Sequence, residues 1–144
     1  MKKTKLIFLG IFAVIYLAFF GLVSFAETGK QPDPNMVKKG KVSYDKYCAS
    51  CHGEKGDGEI APPIGIRGPD YFAAPGLNGS AHSWHHTDEN LLKVIMDGSS
   101  RTPKMRAWRD VFDNKTAEEI LAYFKNWWPK RLLECQGPKH MSCM

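Results

Sequence analysis

Cys48-Ala49-Ser50-Cys51-His52 sets two thiols on either side of a dipeptide, with an imidazole directly after the second. That order reads as a covalent haem attachment site of the c type. The thiols add across the two vinyl groups of one porphyrin, and the adjacent His52 then lies under the iron as its proximal ligand. Two plainer readings compete. A zinc site needs a second close Cys or His pair, and Cys135 and Cys143 do not form another C-x-x-C. A thioredoxin-like redox pair belongs in a βαβ pattern and has no use for the histidine. The rest of the chain favours haem.

Upstream, Lys2, Lys3 and Lys5 precede an uninterrupted apolar run from Leu6 to Val23, and Ser24-Phe25-Ala26 offers small residues for cleavage before Glu27. Residues 1–26 are therefore a signal peptide or an uncleaved membrane anchor, and the length of the run leans towards the anchor. Either fate leaves the lysines in the cytoplasm and exports everything after Ala26 to the periplasmic side. Export suits a c-type haem and permits a disulfide. Three of the twenty basic residues thus sit in the leader, whereas all fifteen acidic ones follow it, leaving a net +2 from Glu27 onward. Such a balance gives no footing for nucleic acid.

Residues 27–35, with Gly29, Pro32 and Pro34, read as a tether. A helix is expected from Asn35, as its cap, through Val37, Gly40, Lys41, Tyr44 and Tyr47 into the haem motif. Gly40 costs about 1 kcal/mol inside a helix relative to Ala, so a second helix is expected to cross closely there. Gly53 to Ser83 is rich in glycine and proline and reads as a loop, with a haem edge to pack on. Thr87-Asp88-Glu89 opens a helix whose apolar face is Leu91, Leu92, Ile95 and Met96, and Gly98 ends it. Thr116-Ala117-Glu118-Glu119 reads as a capping box for a last helix reaching Trp128, stopped by Pro129. No strand pattern is present, so the fold class is all-α.

With these elements in order, the chain resembles a class I bacterial monohaem cytochrome c over residues 36–129. The resemblance rests on Gly40 and Tyr44 before Cys48-Ala49-Ser50-Cys51-His52-Gly53, on Pro75-Gly76-Leu77-Asn78-Gly79, on Met105-Arg106-Ala107-Trp108, and on Glu119-Ile120-Leu121-Ala122-Tyr123. It implies a small fold with crossed N- and C-terminal helices around one covalent haem, with Tyr123 laid over Gly40. It also implies thioether links at Cys48 and Cys51, His52 as proximal ligand, and a backbone carbonyl accepting from the other nitrogen of His52. Pro75 is the candidate for that carbonyl and Pro63 its competitor. A domain at 36–130 follows, preceded by the hydrophobic N-terminal helix.

For the sixth ligand, Met105 follows Pro103 in an interhelical loop, where its thioether is free to turn towards the iron. His/Met ligation raises the reduction potential and suits an electron carrier. Met96 is the alternative, although on a helix face Met is more often filler. His82, His85 and His86 around Trp84 are a third option. They could bind a metal or replace Met105 on the iron, but the plainer reading is surface histidines on a haem-edge loop.

Residues 131–144 form a tail containing Cys135, His140, Met141, Cys143 and Met144. A Cys135–Cys143 disulfide is the favoured reading in an oxidising compartment. The alternative is a Cu(I) site using those thiols with His140 and Met141, since soft sulfur and imidazole ligands select that ion.

No nucleophile–base pair and no poised carboxylate dyad is visible, so the chain is read as electron-transfer protein and not as an enzyme. Its expected partners are redox proteins: a dehydrogenase, an oxidase or another cytochrome, with the membrane itself a partner if the leader is retained. The alternatives are a haem-based sensor or ligand-binding protein, and a small cytochrome subunit of a dehydrogenase or oxidase, with copper handling by the tail.

Overall fold

The computed structural model describes residues 29–66, 68 and 71–144. The leader, with its apolar run and cleavage position, lies outside them, as does most of the start of the tether. Among the described residues no helix is long and apolar enough to cross a membrane.

The fold is all-α, with no strand among the described residues. Helix α1 spans Pro34–Tyr47. Its cap is Asp33, not Asn35: the Asp33 carboxylate accepts from the N–H groups of Asn35 at 2.8 Å and Met36 at 3.2 Å. Pro34 at the first helical position lacks the N–H that would otherwise be left over, and the cap lies two residues earlier than expected. One further turn, α2 at Ala49–His52, carries the haem motif and ends at Gly53. Helix α3, Asp88–Asp97, opens on the Thr87 hydroxyl, which accepts from Asn90 N–H at 3.2 Å.

Helix α4 runs Asn114–Lys125. Its cap is Asp113, which accepts from Thr116 N–H and from the Thr116 hydroxyl, each at 2.8 Å. Thr116 is therefore inside the first turn and the expected capping box does not form. The helix also stops before Trp128. Trp127 and Trp128 follow in tight turns, donating to the carbonyls of Phe124 and Lys125 at 3.2 and 3.0 Å. A turn of that pitch keeps both indoles close to the face they would occupy on a longer helix.

Helices α1 and α4 cross at Gly40. A Cβ built there would lie on the Glu119 carbonyl oxygen, so only glycine admits this approach. The contact falls on the backbone of Glu119 and Ile120, one turn before Tyr123. Tyr123 packs edge-on to Tyr44 instead, with ring centroids 5.2 Å apart, and Trp127 does the same from 5.4 Å. Tyr44, Ile120, Phe124, Trp128 and Leu133 are all buried, and Ile95 of α3 joins the same core. Lys125 closes the α3–α4 seam by holding both Asp88 carboxylate oxygens at 2.7 and 2.8 Å.

Residues 131–144 are folded onto this body. Helix α5, Lys130–Glu134, buries Leu133, and a 3₁₀ turn over Gly137–Ser142 packs against another at His82–His85.

Candidate haem site

The site is built where α1 breaks. Cys48 closes the last turn of α1, its N–H donating to Tyr44 O at 2.8 Å, and α2 then carries Cys51 and His52 round one turn. The buried Tyr44 hydroxyl donates to Gly53 O at 2.9 Å, which ties the start and end of the motif together. Burial pushes the Tyr44 phenol up, so it stays a neutral donor.

His52 is buried, with only 9 % of its surface exposed. Its Nδ1 lies 2.9 Å from the Pro75 carbonyl and donates to it. Pro75, rather than Pro63, provides that acceptor. The bond leaves the lone pair on Nε2, fixing the nitrogen that can ligate a metal and raising its basicity. Burial lowers the pKa of His52 while the Pro75 hydrogen bond and the charge of Glu59 oppose that shift. Cys48 and Cys51 are not bonded to each other. Burial, then the neighbouring Cys51, pushes the Cys48 thiol up to about 12, so it lacks the lowered pKa of a reactive redox thiolate. Two unpaired thiols beside a buried imidazole with Nε2 free fit the donor set of a covalently held haem.

The loop carrying Pro75 is fastened back to the residues after the motif. Gly56 O accepts from Leu77 N–H at 2.7 Å, the Asn78 side chain donates to Asp57 at 2.7 Å, and Glu59 and Ala74 pair through their backbones at 2.9 Å. Ser83, buried, donates to Gly76 O at 2.9 Å, and Trp128 Nε1 donates to Leu77 O at 2.6 Å. The α4–α5 junction thus braces the loop that orients His52.

Residues 35–124 match the family described as cytochrome c oxidase, cbb3-type, subunit III. This chain belongs to that family. The cytochrome is 32 % identical over 98 residues to the Cbb3-type cytochrome c oxidase subunit CcoP of Azospirillum sp. (strain B510), covering 68 % of this chain and 31 % of the relative. It is 29 % identical over 97 residues to the protein of the same name from Azospirillum brasilense, covering 67 % of this chain and 30 % of the relative. The chain therefore spans under a third of the length of these curated relatives. No solved structure matches it. Membership makes this a c-type cytochrome whose cofactor is covalent haem c and whose general role is haem-based electron transfer.

On the other side of the sequence, the cytochrome folds the Met105 segment back over the end of α3. Ser99 N–H donates to Met105 O at 2.8 Å, and the N–H groups of Trp108 and Arg109 converge on Met96 O at 3.2 and 3.3 Å. Gly98, at φ +81°, makes this return: a Cβ there would meet Met105 O and Ala107 N, each at 2.8 Å. Met105 is half-buried against the core. Met96 is likewise half-buried against the core, and it lines an open groove of about 440 Å³ with Leu92 of α3 and Ala117 of α4.

The loop histidines do not stand alone. His85 stacks on His140 of the C-terminal segment, centroids 4.4 Å apart and planes 13° from parallel. Burial, then the neighbouring imidazoles with His140 foremost, lowers the pKa of His85; burial, then His82 and His140, does the same for His86. Cys135 and Cys143 are joined in a disulfide, so neither is a thiolate available to Cu(I), and Met141 is exposed.

Sequence reasoning passed over Glu59, which links the Pro75 loop to Lys104 beside Met105. A lone glutamate in a loop carries no local signal of that role. It also passed over the meeting of His140 with the loop histidines, which no spacing rule reveals across so long a separation.

Proposed function

We propose that this cytochrome carries single electrons through one haem c, thioether-linked at Cys48 and Cys51 and ligated by His52 and Met105, between redox proteins outside the cytoplasmic membrane. The observation that carries the reading is the His52 Nδ1 to Pro75 O hydrogen bond, 2.9 Å long, beside two unpaired thiols. It leaves Nε2 of a buried imidazole as the nitrogen that would ligate the iron. When bound, the haem supplies the one-electron couple, and its potential is raised by a thioether ligand.

The chain's own residues set the conditions. Pro75 orients the proximal imidazole, Tyr44 ties Gly53 back to α1, Gly98 returns Met105, and the aromatic core of Tyr44, Tyr123 and Trp127 packs the crossing of the helices. On this reading the cytochrome passes electrons on rather than transforming a substrate itself. The relatives' name, an oxidase subunit, points to a terminal oxidase as the electron acceptor. Encounters of this kind bury little surface and are transient.

A redox-titrated visible spectrum of the membrane-extracted protein tests the reading. The expected result is a low-spin c-type spectrum, with the weak sulfur-to-iron charge-transfer band in the oxidised state. A bis-histidine spectrum without that band, or ready CO binding by the native ferrous protein, overturns the ligation by Met105.

A further inference from the structure

Four successive carbonyls of the loop behind His52 each accept from a different group. Ala74 O takes the Glu59 N–H at 2.9 Å, and Pro75 O takes the His52 Nδ1–H at the same distance. Gly76 O accepts from the Ser83 hydroxyl at 2.9 Å, and Leu77 O from Trp128 Nε1–H at 2.6 Å. The loop also lies against Gly58, where an added Cβ would come within 2.6 Å of Ala74 O and of Gly76 N. The peptide that accepts from His52 is therefore held through its neighbours on both sides.

The two side-chain donors are buried: Ser83 is 5 % exposed and Trp128 1 %. A buried hydroxyl or indole N–H costs free energy unless it is bonded, and Ala or Phe would pack without that requirement. Each of these polar atoms is spent on a carbonyl within two residues of Pro75. The two donors come from different elements, Ser83 from the 3₁₀ turn His82–His85 and Trp128 from the turn that follows α4. The C-terminal segment secures the first of these. His140 stacks on His85, Gln136 donates to His86 O at 3.0 Å, and the Cys135–Cys143 disulfide closes the segment on itself.

We infer that Ser83 and Trp128 are positioning residues for the proximal ligand, acting through the Gly76 and Leu77 peptides on the Pro75 carbonyl and so on the reduction potential. The inference rests on the reading of His52 as that ligand. An acceptor held in place keeps the Nδ1 hydrogen bond strong, which makes the imidazole more basic and favours the ferric state. A slack acceptor does the reverse, so losing either donor raises the potential.

Ser83→Ala removes one hydroxyl, and Trp128→Phe keeps an aromatic ring without the N–H. Redox titration of each holoprotein gives the midpoint, and proton NMR of the ferric form follows exchange of the His52 Nδ1 proton into deuterium oxide. In both variants the midpoint should rise and the proton should exchange faster. At a fixed poise the ratio of reduced to oxidised protein should grow on the order of threefold, below the roughly 10–100-fold that direct loss of such a partner costs. Ile120→Val also loosens the core, at the Gly40 crossing, and should leave midpoint and exchange as in wild type. If Trp128→Phe does not fold, Ser83→Ala decides alone. An unchanged or lowered midpoint in a variant that keeps the wild-type haem spectrum overturns the assignment of that residue, and an equal rise in Ile120→Val overturns both. Failure of the haem reading itself would show earlier, in the spectrum of the wild-type protein.

Discussion

The Lys104 ammonium and the Glu59 carboxylate stand 3.4 Å apart, and the same Glu59 oxygen accepts the Ala74 N–H at 2.9 Å. Ala74 precedes the carbonyl that orients His52, and Lys104 precedes Met105. One side chain therefore links the loop behind the proximal ligand to the segment holding the proposed distal one. The hydrogen bond from Ala74, then Lys104, holds the Glu59 carboxyl below its usual range. A depressed carboxyl stabilises the folded state above its unfolded pKa, and that contribution disappears as pH falls through the folded value. Glu59→Gln should therefore lower the denaturation midpoint at pH 7, and the difference from wild type should close as the solution is acidified below the ordinary glutamate range. Both side chains keep contact with solvent, so the effect is small. Denaturant titrations of both holoproteins at pH 7 and pH 3 check it.

Gly40→Ala sets two effects against each other. Alanine gains about 1 kcal/mol in helix propensity, but its methyl lands on the Glu119 carbonyl, a backbone atom that cannot swing away. Overpacking of this kind costs about 1–3 kcal/mol, and here the two helices must part, so the net change is destabilising. Gly65→Ala, where the added Cβ meets nothing within 4 Å, should stay within about 0.5 kcal/mol of wild type. Thermal unfolding of the two holoproteins separates the cases.

Tyr44→Phe keeps the aromatic packing on Tyr123 and Trp127 but removes the donor to Gly53 O. A carbonyl left without its partner in a part-buried site should cost about 1–2 kcal/mol. Denaturant unfolding followed at the haem band reads this directly.

Replacing Cys135 and Cys143 together by serine opens a loop with a sequence separation of 8. The chain-entropy argument puts the loss at about 2.5 kcal/mol. Because Leu133 is buried in the common core, the loss should appear in the global unfolding of the cytochrome and not only as fraying of its end. Calorimetric unfolding of the double variant measures it.

The helices, the crossing at Gly40 and the thiol–imidazole cluster were legible because each is written locally. A glycine between apolar positions, or two cysteines beside a histidine, needs no knowledge of distant residues. The boundaries were less so. Asp33-Pro34-Asn35 and Asp113-Asn114 each offer neighbouring side chains able to cap, and only the fixed φ of Pro34 marks the first helix start. The last helix, expected to reach Trp128, ends at Lys125, and Trp128 is buried all the same because the turn after Lys125 preserves its facing. Residues 131–144 looked like an appendage because Leu132 and Leu133 are too few to show a period. Their burial depends on the floor supplied by Trp128 and Gly79, brought there by the rest of the chain.

Met105 and Met96 are distinguished by substitution. If Met105 is the distal ligand, Met105→Ala should abolish the sulfur-to-iron charge-transfer band, open the ferrous iron to CO, and lower the reduction potential. The drop should be on the order of a hundred millivolts, a fraction of the roughly 0.8 V that axial ligands span. Met96→Leu should leave band and potential in place, because Leu fills the α3–α4 groove with nearly the same volume at a cost under about 1.5 kcal/mol. Gly98→Ala should act through Met105: its Cβ strikes the Met105 carbonyl, so the band should weaken while covalent haem attachment at Cys48 and Cys51 persists. Spectra of the three oxidised proteins check all of this, and a band surviving in Met105→Ala would transfer the distal role to another side chain.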